Sequence, residues 1–280
     1  MKLVTWNIQW GLGCDGKVDL ARIVDAARSF CDADVYCFQE ISHGFAAHDG
    51  HEDQPAHLAS LLPGYAAIFR PAVEMRNGDG GPQLFGNMIL SRLPVQQVTS
   101  HMLPWPATEA RSMQRQALEV VVAADAGPIR VTTCHLEYHS HEHRQAQVQR
   151  LRDLYEDAAE RARLAFRDAS DGPYRTLPAP VGTIICGDFN IEPDDPLHAE
   201  MQRPFTSDVP AFVDAWTARH GTSPHPPTTG VADHRQWPQG PHCRDYIFIS
   251  GDLANRIGDV AVDVETTASD HQPVAITLDA

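Results

Sequence analysis

Ten or more short apolar or β-branched runs, most of them closing on polar residues, crowd into a chain of 280 residues. The runs cover residues 2–8, 35–39, 66–69, 87–91, 95–100, 116–123, 129–135, 182–186, 246–250, 260–265 and 273–278, each of strand length. A single open sheet does not hold so many strands comfortably, so an α/β domain with two packed sheets is expected. Between the first two runs, Val18, Ala21, Val24 and Ala27 recur at helical steps and predict an amphipathic helix over 18–30. The longest helix is predicted over about 142–167, where Val148, Leu151, Leu154, Tyr155, Ala158, Ala162 and Ala165 recur three and four residues apart. Residues 42–54, 74–86 and 217–242 resist assignment and read as loops, the last rich in Pro, His and Gly. No repeat or linker divides the chain, so residues 1–280 are expected to form one domain.

Composition narrows the class of partner. A formal charge of −15, from 37 acidic against 22 basic residues, repels a polyanion at long range unless a basic cleft or bound cations offset it. Only two lysines occur, Lys2 and Lys17, and the arginines are dispersed rather than aligned along a groove. Six cysteines are scattered without a CxxC pair, and Cys37, Cys134 and Cys186 sit inside apolar runs, where a reduced thiol behaves as a small hydrophobe. Met1-Lys2-Leu3-Val4 leads directly into a polar motif with no apolar leader core between, so a reducing, cytoplasmic setting is expected. No stretch has the length and apolarity of a membrane span, and no obligate protein partner is evident.

The polar ends of the runs carry the chemistry. In order they are TWN (5–7), QE (39–40), GNMILSR (86–92), HLEYHS (135–140), GDFN (187–190), RDYIF (244–248) and SDH (269–271). Singly, each has a bland explanation: GDFN makes a turn, Glu40 opens a helix, Asp270-His271 is a surface pair, and His135 is a core histidine bonded to a carbonyl. Seven such motifs at successive strand ends are not explained by independent coincidence, because strand-end loops on a rigid sheet are where functional side chains gather.

This ordered set resembles the endonuclease/exonuclease/phosphatase superfamily, which includes pancreatic-type deoxyribonuclease, abasic-site endonucleases, neutral sphingomyelinases, inositol polyphosphate 5-phosphatases and deadenylases. The likeness runs from Thr5 to His271. It implies a four-layer α/β sandwich, with two mixed β-sheets face to face and helices outside. It also implies a Mg²⁺- or Mn²⁺-dependent hydrolase of phosphoester bonds, of which a phosphodiesterase is the leading case. In that reading Glu40 is the principal metal ligand and Asp270 a second metal contact, while Asn7 and Arg115 meet the phosphate. Asp188 orients and deprotonates the attacking water, Asn190 positions water or phosphate, His271 donates to a phosphate oxygen, and Asp245 holds that imidazole. His135 fits the deoxyribonuclease, sphingomyelinase and deadenylase branches, since abasic-site endonucleases look different there, with a tyrosine in that neighbourhood.

The chemistry of these residue types agrees with the resemblance. Hydrolysis at phosphorus needs an oriented water, neutralised phosphoryl oxygens and a stabilised leaving oxygen. Hard oxygen ligands suit Mg²⁺, which uses one or two protein carboxylates and keeps several waters. His139, His141 and His143 alternate at a predicted helix start, a spacing that does not gather three imidazoles on one face. Three function classes compete: a metal-dependent phosphoesterase (a nucleic-acid endonuclease or exonuclease being its alternative form), a catalytically inactive binding member, and an unrelated α/β hydrolase or transferase. Loss of Glu, Asp or His from the set would mark the second, and none is lost; the third requires a Gly-rich phosphate loop or G-x-S-x-G elbow, and neither occurs. The substrate is a phosphoester, with small molecule, lipid headgroup and nucleic acid all open, and net acidity favouring the first and second.

Overall fold

The central strands read as continuous apolar runs because both of their faces are covered. The computed structural model describes residues 1–50, 52–164 and 172–280. In chain order the main elements are β1 (Lys2–Asn7), α1 (Leu20–Phe30), β2 (Val35–His43), α2 (Ala46–Asp49), α3 (Gln54–Leu61), β3 (Ala66–Arg76), β4 (Pro82–Ser91), β5 (Val95–Met102), β6 (Gln116–Ala124) and β7 (Gly127–His135). They continue as α4 (His141–Ala162), β8 (Thr183–Asp188), α5 (Pro196–Gln202), β9 (Phe212–Asp214), α6 (Ala215–His220), β10 (Asp245–Ser250), β11 (Ile257–Val262) and β12 (Val274–Leu278).

The strands form two six-stranded sheets, ordered β11-β12-β1-β2-β4-β3 and β5-β6-β7-β8-β10-β9. Both are mixed: β1 runs parallel to β2 and antiparallel to β12, while β8 runs parallel to β7 and antiparallel to β10. Leu3, Val35, Cys37 and Ile89 of the first sheet meet Val120, Val131, Ile184 and Ile247 of the second in a shared buried core. The alternate residues point outward. Val4, Tyr36 and Leu90 pack on α1 and α3 through Ile23, Ala27 and Leu58, whereas Ile185 and Phe248 pack beneath α4 and α5 through Val148, Leu151 and Leu197. The result is the expected four-layer α/β sandwich. Inside it, the Gln39 amide nitrogen lies 3.0 Å from Thr5 Oγ1 and 2.8 Å from Thr133 Oγ1, joining the two sheets just below their rim.

Helix ends follow their capping chemistry. Asp19 accepts from the Arg22 N–H, so α1 begins at Leu20, and Val18, expected on the helix face, is an exposed residue ahead of it. Ser140 caps α4 by accepting from the His143 N–H. Of the three alternating histidines, His143 is buried and its Nε2 lies 2.8 Å from the Pro106 carbonyl oxygen, while His141 is exposed. The expected continuation of α4 to 167 falls partly on 165–167, outside the described residues. The stretch 74–86 is corrected from loop to hairpin: β3 and β4 pair through Arg76 and Pro82, and Gly78, Gly80 and Gly81 occupy the tight turn, closed by Asn77 N–H to the Gly81 carbonyl at 2.9 Å. The stretch 42–54 likewise contains the end of β2, all of α2 and the first residue of α3. Cys37, Cys134 and Cys186 are fully buried and unpaired.

Candidate active site

Strand register sets the site. On the second sheet His135 of β7 and Asp245 of β10 both pair with Asp188 of β8, so an imidazole and two carboxylates stand side by side at one edge. This close pairing needs glycine at position 187: its φ is +139°, and a Cβ there would lie 1.9 Å from the Cys134 carbonyl oxygen. On the first sheet, β1 ends at Asn7, and β2 breaks register against β4 between Phe38 and Ile41. Glu40 sits in that bulge with φ +62°, a left-handed conformation that turns its carboxylate toward the same edge. Asp270 and His271 arrive on the segment before β12, pinned by Ser269 Oγ donating to the Asn7 carbonyl at 2.8 Å and by Trp6 Nε1 donating to the His271 carbonyl at 2.9 Å.

These side chains form one network. Asn7 Nδ2 donates to Glu40 Oε1 and to Asp188 Oδ2, both at 3.0 Å. His135 Nε2 lies 3.4 Å and His271 Nε2 3.7 Å from Asp188 Oδ2, and His271 Nδ1 lies 2.9 Å from Asp245 Oδ2. The Asp188 Oδ1 atom accepts the Asn190 backbone N–H at 2.9 Å, which supports the left-handed φ of +52° at Asn190. Asn190 in turn donates through Nδ2 to the Leu136 carbonyl at 3.0 Å and accepts from Arg244 at 3.3 Å.

A cleft of about 650 Å³ opens above the network, and its walls include Glu40, Arg111, Arg115, His135, Asp188, Asn190, Asp270 and His271. Asn7 and Asp245 stand behind that wall, touching the groups that face it. All the sequence-predicted site residues are therefore brought together, though not all on the surface of the cleft. Arg115 is 5% exposed; its Nε donates to the buried Glu137 at 3.2 Å, while among the described residues its Nη1 has no hydrogen-bond partner.

Sequence reasoning did not single out Trp237 or Arg244. Trp237 Nε1 donates to Asp270 Oδ2 at 3.1 Å, and Arg244 lies over the Trp237 and Tyr138 rings at 5.1 and 5.5 Å. Position within RDYIF was the available signal for Arg244; Trp237 had only its place in the long 217–242 segment. That segment reaches the cleft through Gln236 and Trp237, but its first part turns inward. His225 and His198 both place Nε2 on Asp214 Oδ2, at 2.6 and 2.8 Å. The Gln202 amide, oriented by accepting the Asp214 N–H, faces His198 Nδ1 and so leaves the proton on Nε2: this cluster is a hydrogen-bonded brace.

Electrostatics set the protonation states. Burial, reinforced by Asp270, pushes Glu40 up to about 7, and burial raises Asp270 as well. Burial also works on Asp188, but the His135 and His271 imidazoles and the Asn7 hydrogen bond outweigh it, leaving this carboxylate below its ordinary range. Burial, with Arg115 nearby, lowers His135 to about 3, so that imidazole is neutral. His271 is the opposite case: burial disfavours its charge, yet Asp245, Asp270 and Asp188 overcome that and hold it protonated well above the usual histidine value. Burial pushes Asp245 up to about 6 against the pull of the His271 charge.

The donor set suits a hard divalent cation. Glu40, Asp188 and Asp270 supply only oxygen, Glu40 and Asp270 are both raised first by burial and then by a neighbouring carboxylate, and among the described residues Asp245 Oδ1 is buried without a partner. Asp188, Asp245 and His271 also bring ligand atoms within 4.8 Å of one another.

Two face-packed mixed sheets thus carry a cleft lined by carboxylates, imidazoles and two arginines. Residues 4–271 match the model of the Endonuclease/Exonuclease/phosphatase family, and the chain belongs to that family. Among solved structures, an endonuclease/exonuclease/phosphatase from Beutenbergia cavernae superposes with a TM-score of 0.71 at 22% identity, over 100% of this chain and 72% of that one. The human Nocturnin catalytic domain with bound sulfate gives 0.64 at 19% identity, over 99% and 92%. A Bacteroides thetaiotaomicron mannosyl-6-phosphatase gives 0.64 at 16% identity, over 100% of each chain. None of the curated proteins matches the sequence. Among the described residues no helix is long and apolar enough to cross a membrane.

Proposed function

We propose that this chain is a divalent-metal-dependent phosphodiesterase that attacks phosphorus with a water activated by Asp188. The observation that carries this reading is the Asp188 carboxylate held ionised between a neutral imidazole, His135, and a protonated one, His271. An ionised carboxylate in that position accepts a proton from water. The imidazolium beside it donates to a non-bridging phosphoryl oxygen as charge develops. Asp245 acts through His271, fixing its ring by the Nδ1 contact and sustaining its charge. Asn7 acts through Glu40 and Asp188, keeping both carboxylates turned to the cleft. The unpartnered Arg115 Nη1 offers a further donor to phosphate, and Asn190 positions water or phosphate beside Asp188.

Glu40 and Asp270 would hold Mg²⁺ or Mn²⁺, which when bound supplies charge neutralisation at the phosphate and the leaving oxygen. A phosphodiester, rather than a long nucleic acid, fits the net charge of −15 and the two arginines on the cleft wall. The test is hydrolysis of bis(p-nitrophenyl) phosphate in Mg²⁺, Mn²⁺ and EDTA. Activity should require metal, and Asp188→Asn and His271→Gln should each lower turnover roughly 10²-fold or more while melting temperature changes little. Near-normal turnover in both variants would refute the assignment.

A further inference from the structure

Part of the wall of the cleft that holds Asp188 and His271 is built from rings. Trp10 lies parallel to His48, with centroids 4.1 Å apart and planes 11° from one another, and Phe45 backs the imidazole at 5.7 Å. Phe85, Val73 and Met75 complete this wall. His48 therefore has two stacked ring neighbours, Trp10 and Phe45, whereas the indole of Trp10 stacks on His48 alone among the described residues and its N–H makes no hydrogen bond there. Gln54 fixes the turn from behind, donating to the Trp10 carbonyl at 2.7 Å. Burial holds His48 below the usual histidine value, so the stack presents an uncharged π surface.

We infer that the Trp10–His48 stack is a binding subsite for the flat heterocycle of a nucleotide-sized phosphoester, whose phosphate lies at Asp188 and His271. This rests on the phosphoesterase reading above and adds the substrate class. Three observations converge on it. A parallel aromatic pair with an uncommitted outer ring suits another planar ring, since base–aromatic stacking is tolerant of sequence and strong. The cleft, at about 650 Å³, has the dimensions of a small-ligand site. Among the described residues Arg111 and Arg115 are the arginines on its wall, and the chain carries −15 overall, so the recognition element beside the phosphate is a ring surface and not a track of cations for a polymer.

The experiment is calorimetric titration of the full chain with adenosine 5′-monophosphate and with ribose 5-phosphate, in EDTA and in MgCl₂. The two ligands differ only by the base. Adenosine monophosphate should bind about tenfold tighter or more. Trp10→Asn, chosen because asparagine tolerates the left-handed φ of +45° at this position, should abolish that advantage and leave ribose 5-phosphate affinity unchanged. Trp10→Phe should retain most of it. Phe45→Ala, which removes the back of the stack without altering the Trp10 turn, provides an independent variant and should lower only the adenosine monophosphate affinity. Equal affinities for the two ligands, or a parallel loss of both in the Trp10 and Phe45 variants, would overturn the subsite. A ten-residue oligodeoxythymidylate binding more than tenfold tighter than the mononucleotide would point to a polymer groove instead, and co-sedimentation with phosphatidylcholine vesicles to a lipid face; either overturns the inference. Reporter hydrolysis run in parallel separates the two levels. Turnover with equal ligand affinities removes only the subsite, whereas no turnover in any metal removes the phosphoesterase reading itself.

Discussion

Converting Glu40 to Gln should stabilise the metal-free protein at pH 8 and not at pH 4.5. The Glu40 side chain sits in a bulge of β2, mostly buried and close to Asp270 and Asp188, and burial pushes its carboxyl group up to about 7 from an ordinary 4.5. At about 1.36 kcal/mol per pH unit, that difference amounts to roughly 3 kcal/mol. The sign follows from proton linkage. Below about 4.5 both folded and unfolded chains hold the proton and Glu40 costs nothing. Between about 4.5 and about 7 the unfolded chain releases it while the folded chain does not, so stability falls as pH rises, and above about 7 the full cost is present. Glutamine has no charge to bury and its Oε1 can still accept from Asn7 Nδ2, as Glu40 Oε1 does now. For a chain of this size about 3 kcal/mol is a rise in melting temperature of about 5 °C or more. Thermal unfolding in EDTA at both pH values measures it. Adding Mg²⁺ should then raise the wild-type melting temperature by more than that of the variant, because ligand binding to the folded state adds stability only where the site is intact. An equal melting-temperature difference at the two pH values, or a less stable variant at pH 8, would refute the reasoning.

What was legible in the sequence was whatever depends on local pattern. Apolar runs such as 116–123 and 129–135 locate strands because both faces of β6 and β7 are buried, and their number alone required two sheets. The candidate site residues were legible as a group because most of them sit at strand ends, where a polar motif after an apolar run stands out. Long-range register was not legible. Nothing local marks the bulge that throws Glu40 into φ +62°, since it exists only as a mismatch between β2 and β4. The outer parts of β3 and β4 were masked by composition: Glu74, Met75 and Arg76 are exposed, so the strand shows no apolar run there, and the glycines of the turn outweigh them. β9 is three residues long and held by pairing with β10, too short for periodicity to register. A lone tryptophan such as Trp10 or Trp237 looks in sequence like core. Only the fold shows that one walls the cleft and the other holds Asp270.

Two further outcomes probe how backbone and charge support the site. Gly187→Ala should cost at least ~3 kcal/mol in denaturant unfolding, because a Cβ 1.9 Å from the Cys134 carbonyl oxygen forces β7 and β8 apart, and a smaller loss would show that the pairing can yield. Asp245→Asn should move the pH profile of kcat/KM rather than depress it uniformly. The Asp245 carboxylate, 2.9 Å from His271 Nδ1, is first among the charges that keep the imidazole protonated against burial, so without it His271 loses its proton at lower pH. If the protonated ring is the donor to phosphate, activity then fails earlier as pH rises, while near the acid end, where His271 is still charged, the variant approaches wild type. An alkaline limb that stays in place or moves upward would mean that Asp245 holds the ring in position without governing its charge.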